Sequence, residues 1–152
     1  MLVLVLIAVG VAIVAPRMQG FVRGRALSLE AQRLMALLHA GQARAVSEGM
    51  PMELWLDEKS GTCGLELETT PKGGDAKAEQ VTISDGVQVS MVYKGSGALT
   101  KFNNLPAIRF LPDGTIDENS PQTVELMEDS GALWLVQLQN HTGYEISDSQ
   151  KQ

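Results

Sequence analysis

The sequence predicts an α+β protein: one long N-terminal helix packed on a small antiparallel β-rich head of about six to eight strands. Three features of the 152-residue chain carry that reading. An apolar run opens it, and an apolar stripe of helical period follows without a loop. After Pro51 the period drops from near 3.6 to 2. The length fits one domain plus an appendage, since a head of about 100 residues can still bury a working core.

Residues 1–15, MLVLVLIAVGVAIVA, hold no charged or strongly polar side chain, and branched and small residues fill every face. A helix apolar all round belongs in lipid or in a protein core. The run is shorter than the ~20 residues of a bilayer span, but a helix can continue through Pro16 as a kink, and Met18, Phe21 and Val22 extend the apolar surface. Residues 1–22 are therefore predicted as a membrane-spanning helix half. A cleavable secretory signal fits less well. No basic residue precedes the run, Ile13 spoils a small-x-small site ending at Ala15, and Pro16 would become the first mature residue.

Residues 23–49 form the second, amphipathic half. Leu27, Ala31, Leu34, Leu38, Gly41 and Ala45 recur at steps of four and three, with Glu30, Arg33, Gln42 and Arg44 falling largely elsewhere. Leu27, Ala31, Leu34, Leu38 and Ala45 are the face expected to pack on the head. Gly49 and Pro51 end the helix, the glycine by permitting a left-handed cap and the proline by refusing the hydrogen-bond ladder.

The head is expected over residues 50–147. Met52, Leu54 and Leu56 alternate with Glu53, Trp55 and Asp57, the pattern of a half-buried strand. The turn Lys59-Ser60-Gly61 leads to Cys63, Leu65 and Leu67, which completes a hairpin. Residues 69–79, TTPKGGDAKAE, read as a flexible polar loop. Further strands are read at 81–83, 87–92, 107–111, 123–127, 132–138 and 144–146. Asp85-Gly86, Pro112-Asp113-Gly114, Asp129-Ser130-Gly131 and Thr142-Gly143 supply the turns between them. Residues 148–152 have no apolar anchor and are expected to be disordered.

Charge divides the chain unevenly. Residues 1–49 carry five arginines against two glutamates, a net +3, so the remainder of a chain of net charge -6 carries -9. An acidic head repels polyphosphate, so no nucleic acid is expected as a partner. The single cysteine, Cys63, cannot form an internal disulfide, and in a strand pattern it reads as a small core residue.

Chemistry is sparse. Asp113, Asp117, Glu118 and Asn119 offer oxygen ligands within seven residues but lack the spacing of a calcium-binding loop, so they read as a solvated turn. His39 and His141 have no partner spaced for a tetrahedral metal site. Ser28, Ser47 and Ser130 lack a nucleophile-elbow context, and no glycine-rich phosphate loop occurs. Asn140-His141-Thr142 matches the glycosylation acceptor pattern, a triplet frequent by chance. The chain is thus expected to be non-enzymatic, with no catalytic residues, no cofactor and no metal.

The order of these parts is similar to a known family. The apolar stretch broken at Ala15-Pro16-Arg17 resembles the N-terminal helix of type IV pilin-like proteins. Residues 29–57, LEAQRLMALLHAGQARAVSEGMPMELWLD, resemble the GspH/FimT group, the H-class minor pseudopilins of type II secretion and their type IV pilus relatives. Ile108-Arg109-Phe110 with Pro112-Asp113-Gly114, then Trp134-Leu135-Val136 and Thr142-Gly143, is similar to that group's C-terminal strands and turns. The resemblance implies a pilin-like fold and a minor pseudopilin acting in assembly at or near a filament tip, for protein export across the outer membrane. Its location would be the bacterial inner membrane, crossed once, with the head in the periplasm. Helix bundling with other pseudopilins or minor pilins would use Leu2, Val5, Ala8, Gly10, Ala12, Ala15 and Pro16, the small residues among them permitting close approach. Inner-membrane lipid is a further implied partner, as are the outer-membrane channel and secreted cargo. The family's short basic leader, its Gly-Phe-like cleavage site with methylation of the new terminus, and its glutamate at the fifth mature position are not in this sequence. Met1 is accordingly expected to be an internal methionine, with about six mature residues and the leader upstream. The other readings are a type IV pilus minor pilin for pilus biogenesis or DNA uptake, which would want a basic head, and a membrane-tethered hydrolase, for which no constellation speaks.

Overall fold

One helix, α1 (Leu2–Glu48), runs unbroken through Pro16 in the computed structural model, which describes residues 2–70, 74–95 and 97–148, with side chains from residue 24 onward. It stops where the backbone turns left-handed at Gly49, φ 66°, and Pro51 forbids a return. Among the described residues nine strands follow: β1 (Met52–Asp57), β2 (Thr62–Leu67), β3 (Glu79–Thr82), β4 (Gln88–Val92), β5 (Lys101–Phe102), β6 (Leu105–Phe110), β7 (Thr123–Glu128), β8 (Gly131–Gln137) and β9 (Tyr144–Ser147). They make two antiparallel sheets, in the orders β3-β2-β1-β6-β5 and β4-β7-β8-β9. The result is an α+β architecture, a long helix on a β-rich head.

The inner faces of both sheets meet α1. Leu27, Ala31, Leu34, Leu37, Leu38 and Ala45 of the helix pack with Met52, Leu54, Leu56, Leu65, Ile108 and Phe110 of the first sheet, and with Val89, Val124, Leu126 and Leu135 of the second. Burial of this apolar surface is the main driving force for the arrangement, at roughly 25 cal/mol per Å² removed from water. Gly41 sets how close the helix comes. A methyl group there would stand 2.6 Å from Phe110 Cε2 and 2.9 Å from Leu65 Cδ1, so only glycine permits the contact.

The structure differs from the sequence expectation in three places. The first strand was expected to be half-buried, yet Glu53 and Trp55 are only 3 % and 9 % exposed. The strand β1 is central in its sheet, and connecting segments cover its outer face as well. The polar stretch 69–79 ends in strand at Glu79, which pairs with Leu65, and Asp75 inside it is pinned by hydrogen bonds. A further strand, β5, precedes β6. Asn103 and Asn104 both take positive φ, 48° and 69°, the two-residue hairpin geometry that asparagine tolerates. Of the expected tail 148–152, all but Asp148 lies outside the described residues.

Candidate functional site

The helix half 24–48 has two faces. Leu27, Ala31, Leu34, Leu38 and Ala45 are all buried against the head. On the opposite side Leu29 is 64 % exposed, with Gln32, Ala36, His39 and Ala43 exposed around it, while Val46, 53 % exposed, lies at the edge of the head beside Gly114. Water therefore meets aliphatic surface along a rigid rod, which suits packing against another element. Leu2, Val5, Ala8, Gly10, Ala12, Ala15 and Pro16 belong to the same helix, but their side chains lie outside the described residues. Among the described residues no helix is long and apolar enough to cross a membrane.

Polar side chains flanking the buried stripe lock the helix to the head. Ser84 Oγ donates to Glu30 Oε2 at 2.5 Å, and Arg33 Nη1 donates to the Thr82 carbonyl at 3.1 Å. Nine residues beyond Arg33, the Gln42 amide donates to the carbonyls of Gly114 and Thr142, tying α1 to the β6–β7 and β8–β9 connections. Near the helix end Arg44 Nη2 donates to both carboxylate oxygens of Asp75, at 3.2 and 3.1 Å, while its Nε reaches Glu48 at 3.2 Å. Burial opposes the charge of Asp75, but N–H groups of Lys77 and Leu67 and the Arg44 guanidinium outweigh it and hold the carboxyl below the ordinary 3.8. Four such ties, spaced along the helix, make the helix and head move together.

The candidate chemical residues do not assemble. Cys63 is buried in β2, and its thiol is pushed up to about 11 by burial first and by the nearby charge of Glu30, so it is not a thiolate near neutrality. Asp113 takes the Thr115 N–H and hydroxyl at 2.9 and 2.6 Å, and Asp117 takes the Asn119 N–H at 2.9 Å; both oxygens serve their own turn. Ser47 donates to the Arg44 carbonyl and Ser130 to Glu128. His39 is exposed on the helix, and His141 sits in a left-handed turn, φ 55°, whose carbonyl accepts the Ile116 N–H. Asn140 Oδ1 is occupied by Thr142. Among the described residues no group of histidine, cysteine, aspartate or glutamate is placed to hold a metal ion.

One polar cluster escaped sequence reasoning. Arg109 on β6 donates to Glu68 at 2.8 Å and to Asp117 at 3.2 Å, while Glu53, its cross-strand neighbour on β1, lies buried beside them. The available signal was a glutamate alternating with tryptophan and an arginine within an otherwise apolar strand, Ile108-Arg109-Phe110.

Comparison with known proteins gives this architecture a context. The sequence model of a family described as Type II transport protein GspH matches residues 30–143. Two solved structures of the minor pseudopilin EpsH from the type 2 secretion system of Vibrio cholerae share the fold. One superposes with a TM-score of 0.59 at 17 % identity, covering 80 % of this chain and 96 % of EpsH. The other gives 0.61 at 14 % identity, covering 84 % and 97 %. No curated protein sequence matches significantly.

Proposed function

The chain belongs to the GspH family of type II transport proteins, and from that premise we propose that it is a minor pseudopilin of a type II secretion system, a non-enzymatic subunit acting in assembly at or near the pseudopilus tip. The observation that carries this reading is the span of the family match. It starts at Glu30, inside the helix seat, and ends at Gly143, taking in the clamps of α1 and every strand but β9. The matched unit is thus the locked helix-and-head assembly rather than a shared local motif.

In this reading residues 1–22 serve twice, as a single inner-membrane span and as the helix that bundles with other pseudopilins. Residues 23–49 connect that half to a periplasmic head over residues 50–147. Leu29, Ala36 and Ala43 form the outward ridge on which a neighbouring subunit's helix packs. The head is left for contact with other minor subunits, the outer-membrane channel or cargo. A DNA-uptake role is disfavoured by charge, because after Arg109 the only cation is Lys151.

The test is genetic and structural. Removing the chain from its host should abolish export of type II substrates to the medium, and a cysteine at Leu29 should crosslink to another pseudopilin in the membrane. Loss of pilus-dependent motility or DNA uptake with export intact would instead assign the chain to a pilus.

A further inference from the structure

Glu53 is a carboxylic acid placed where a charge has little to hold it. It points from the central strand β1 to the outer face of the first sheet, between Glu66 on β2 and Arg109 on β6. Only 3 % of the residue is exposed, and its Oε2 atom is buried with no hydrogen-bond partner. The neighbouring cation is already engaged. Arg109 directs Nη2 to Glu68 and Nη1 to Asp117, and its own Nε is buried without a partner. Glu66 is taken up by the Trp55 indole N–H at 3.2 Å, and the Tyr93 hydroxyl by the Ala107 N–H and the Thr100 carbonyl. Glu53, Glu68 and Asp117 therefore contend for one guanidinium, and the most deeply buried of the three is the one it does not serve. Ionising Glu53 leaves a desolvated anion among like charges, whereas the neutral acid avoids the repulsion.

We propose that Glu53 is a proton-binding site that couples the packing of the two sheets to pH. With the proton on, Arg109 stays on Asp117 and holds the turn 117–122 that carries the chain from β6 to β7. With the proton off, Glu53 competes for Arg109 and the turn loosens. That turn is a junction rather than a free loop. Ser120 Oγ accepts the Arg109 N–H at 3.0 Å, the Pro121 carbonyl accepts the buried Tyr144 hydroxyl from the second sheet, and the Gln122 carbonyl accepts the Gln137 N–H. Releasing it loosens contacts on both sheets at once. The electrostatics agree with the geometry: burial first, then the charge of Glu68, raises the Glu53 carboxyl from 4.5 to about 7, with Asp117 adding and Arg109 opposing.

The sign of the effect separates it from ordinary acid denaturation. A group whose folded pKa lies above its unfolded value contributes stability that is complete below 4.5 and is lost as pH rises to about 7. Asp57, Asp75 and Asp113 are held below 3.8, so their contributions are lost only as pH falls below that value. The two windows do not overlap.

The experiment uses the full-length chain in detergent, wild type and Glu53→Gln, between about pH 4 and about pH 9. Carboxyl carbon NMR of the glutamates should show the Glu53 resonance titrating near neutrality. The wild-type unfolding constant should rise on the order of a hundredfold across that window, while that of Glu53→Gln stays flat. Amide exchange at Arg109 and Asn119, corrected for its intrinsic pH dependence, should quicken above neutrality in the wild type alone. A Glu53 resonance titrating in the ordinary carboxylate range, or a pH slope shared by both proteins, would overturn the proposal. Should Glu53→Gln fail to fold, the wild-type titration decides by itself.

Discussion

Each sheet of the head carries a tryptophan on its outer face, and each indole N–H donates to a glutamate on the adjacent strand: Trp55 to Glu66 at 3.2 Å, Trp134 to Glu125 at 3.0 Å. The local pieces, Leu54-Trp55-Leu56 and Leu133-Trp134-Leu135, are nearly identical, and in both the flanking leucines face inward. Their surroundings differ. Trp55 is buried, lying between Gly64 and Ala107 on the neighbouring strands, under segments that cross from one sheet to the other. Trp134 is half-exposed on a face it shares with Met127, which is 42 % exposed. One strand pattern thus serves a closed face and an open one, and the connections between the sheets decide which.

The largest test of that contrast is removal of the rings. Trp55→Ala should cost about 4 kcal/mol of unfolding free energy, the range for truncating a buried aromatic, whereas Trp134→Ala should cost about 1 kcal/mol. Chemical denaturation of both variants checks it, and equal costs would mean that the cover over the first sheet contributes nothing to stability. Next in size is Gly64→Ala. The added methyl would stand 2.3 Å from Trp55 Cζ2 and 2.4 Å from Cε2, so the indole must leave its seat. About 2–3 kcal/mol of destabilisation is expected, with Trp55 fluorescence shifting to the red as the ring meets water. Gly41→Ala offers a control on the inner face, of similar cost by overpacking Phe110 but without the fluorescence change.

These sites explain what the sequence disclosed and what it withheld. The helix, its end at Gly49 and the strand periods are local properties, and the chain writes them in spacing that can be read directly. The cover over β1 is not local. It depends on a connection from β4 at residue 92 to β5 at residue 101 and on another from β6 to β7, neither of which has a hydrophobic period. Glu53 and Trp55 therefore looked like the solvent side of a half-buried strand. The glycine at position 41 sat visibly in the buried stripe, yet nothing in the spacing said that Phe110 would press on it. Only β5 had a sequence signal that went unread, the Asn103-Asn104 pair.

A smaller effect separates the two sheets at their attachment to the helix. Asp75 follows the covered sheet's β2 and receives Arg44, the Leu67 N–H and the Lys77 N–H, with its side chain 4 % exposed. Asp75→Asn should cost about 1–2 kcal/mol near neutrality, since the amide carries no charge to pair with Arg44 and puts a donor where one of two accepting oxygens stood. Because the folded carboxyl titrates below 3.8, its contribution is present above that value and is lost as pH falls through the folded one. The variant should therefore show a shallower acid limb in its stability profile. An unchanged limb would place the acid sensitivity elsewhere.

The finest comparison returns to the two indole bonds. Both glutamates are replaced by alanine, one at a time, in Glu66→Ala and Glu125→Ala. The bonds are of similar length, so the bond itself predicts equal losses. Burial predicts otherwise. At Trp134 water can replace the lost acceptor, and the cost should stay within a few tenths of a kcal/mol. At Trp55 the orphaned N–H is closed off from solvent, so the variant should lose about 1 kcal/mol. A second term works against that loss: removing Glu66 takes one negative charge away from its cross-strand neighbour Glu53. The Glu66→Ala penalty should then shrink as pH rises past neutrality and Glu53 ionises, while the Glu125→Ala penalty stays constant. Parallel pH profiles for the two variants would break the link between the covered face and its buried acid, and leave the tryptophan contrast as a matter of exposure alone.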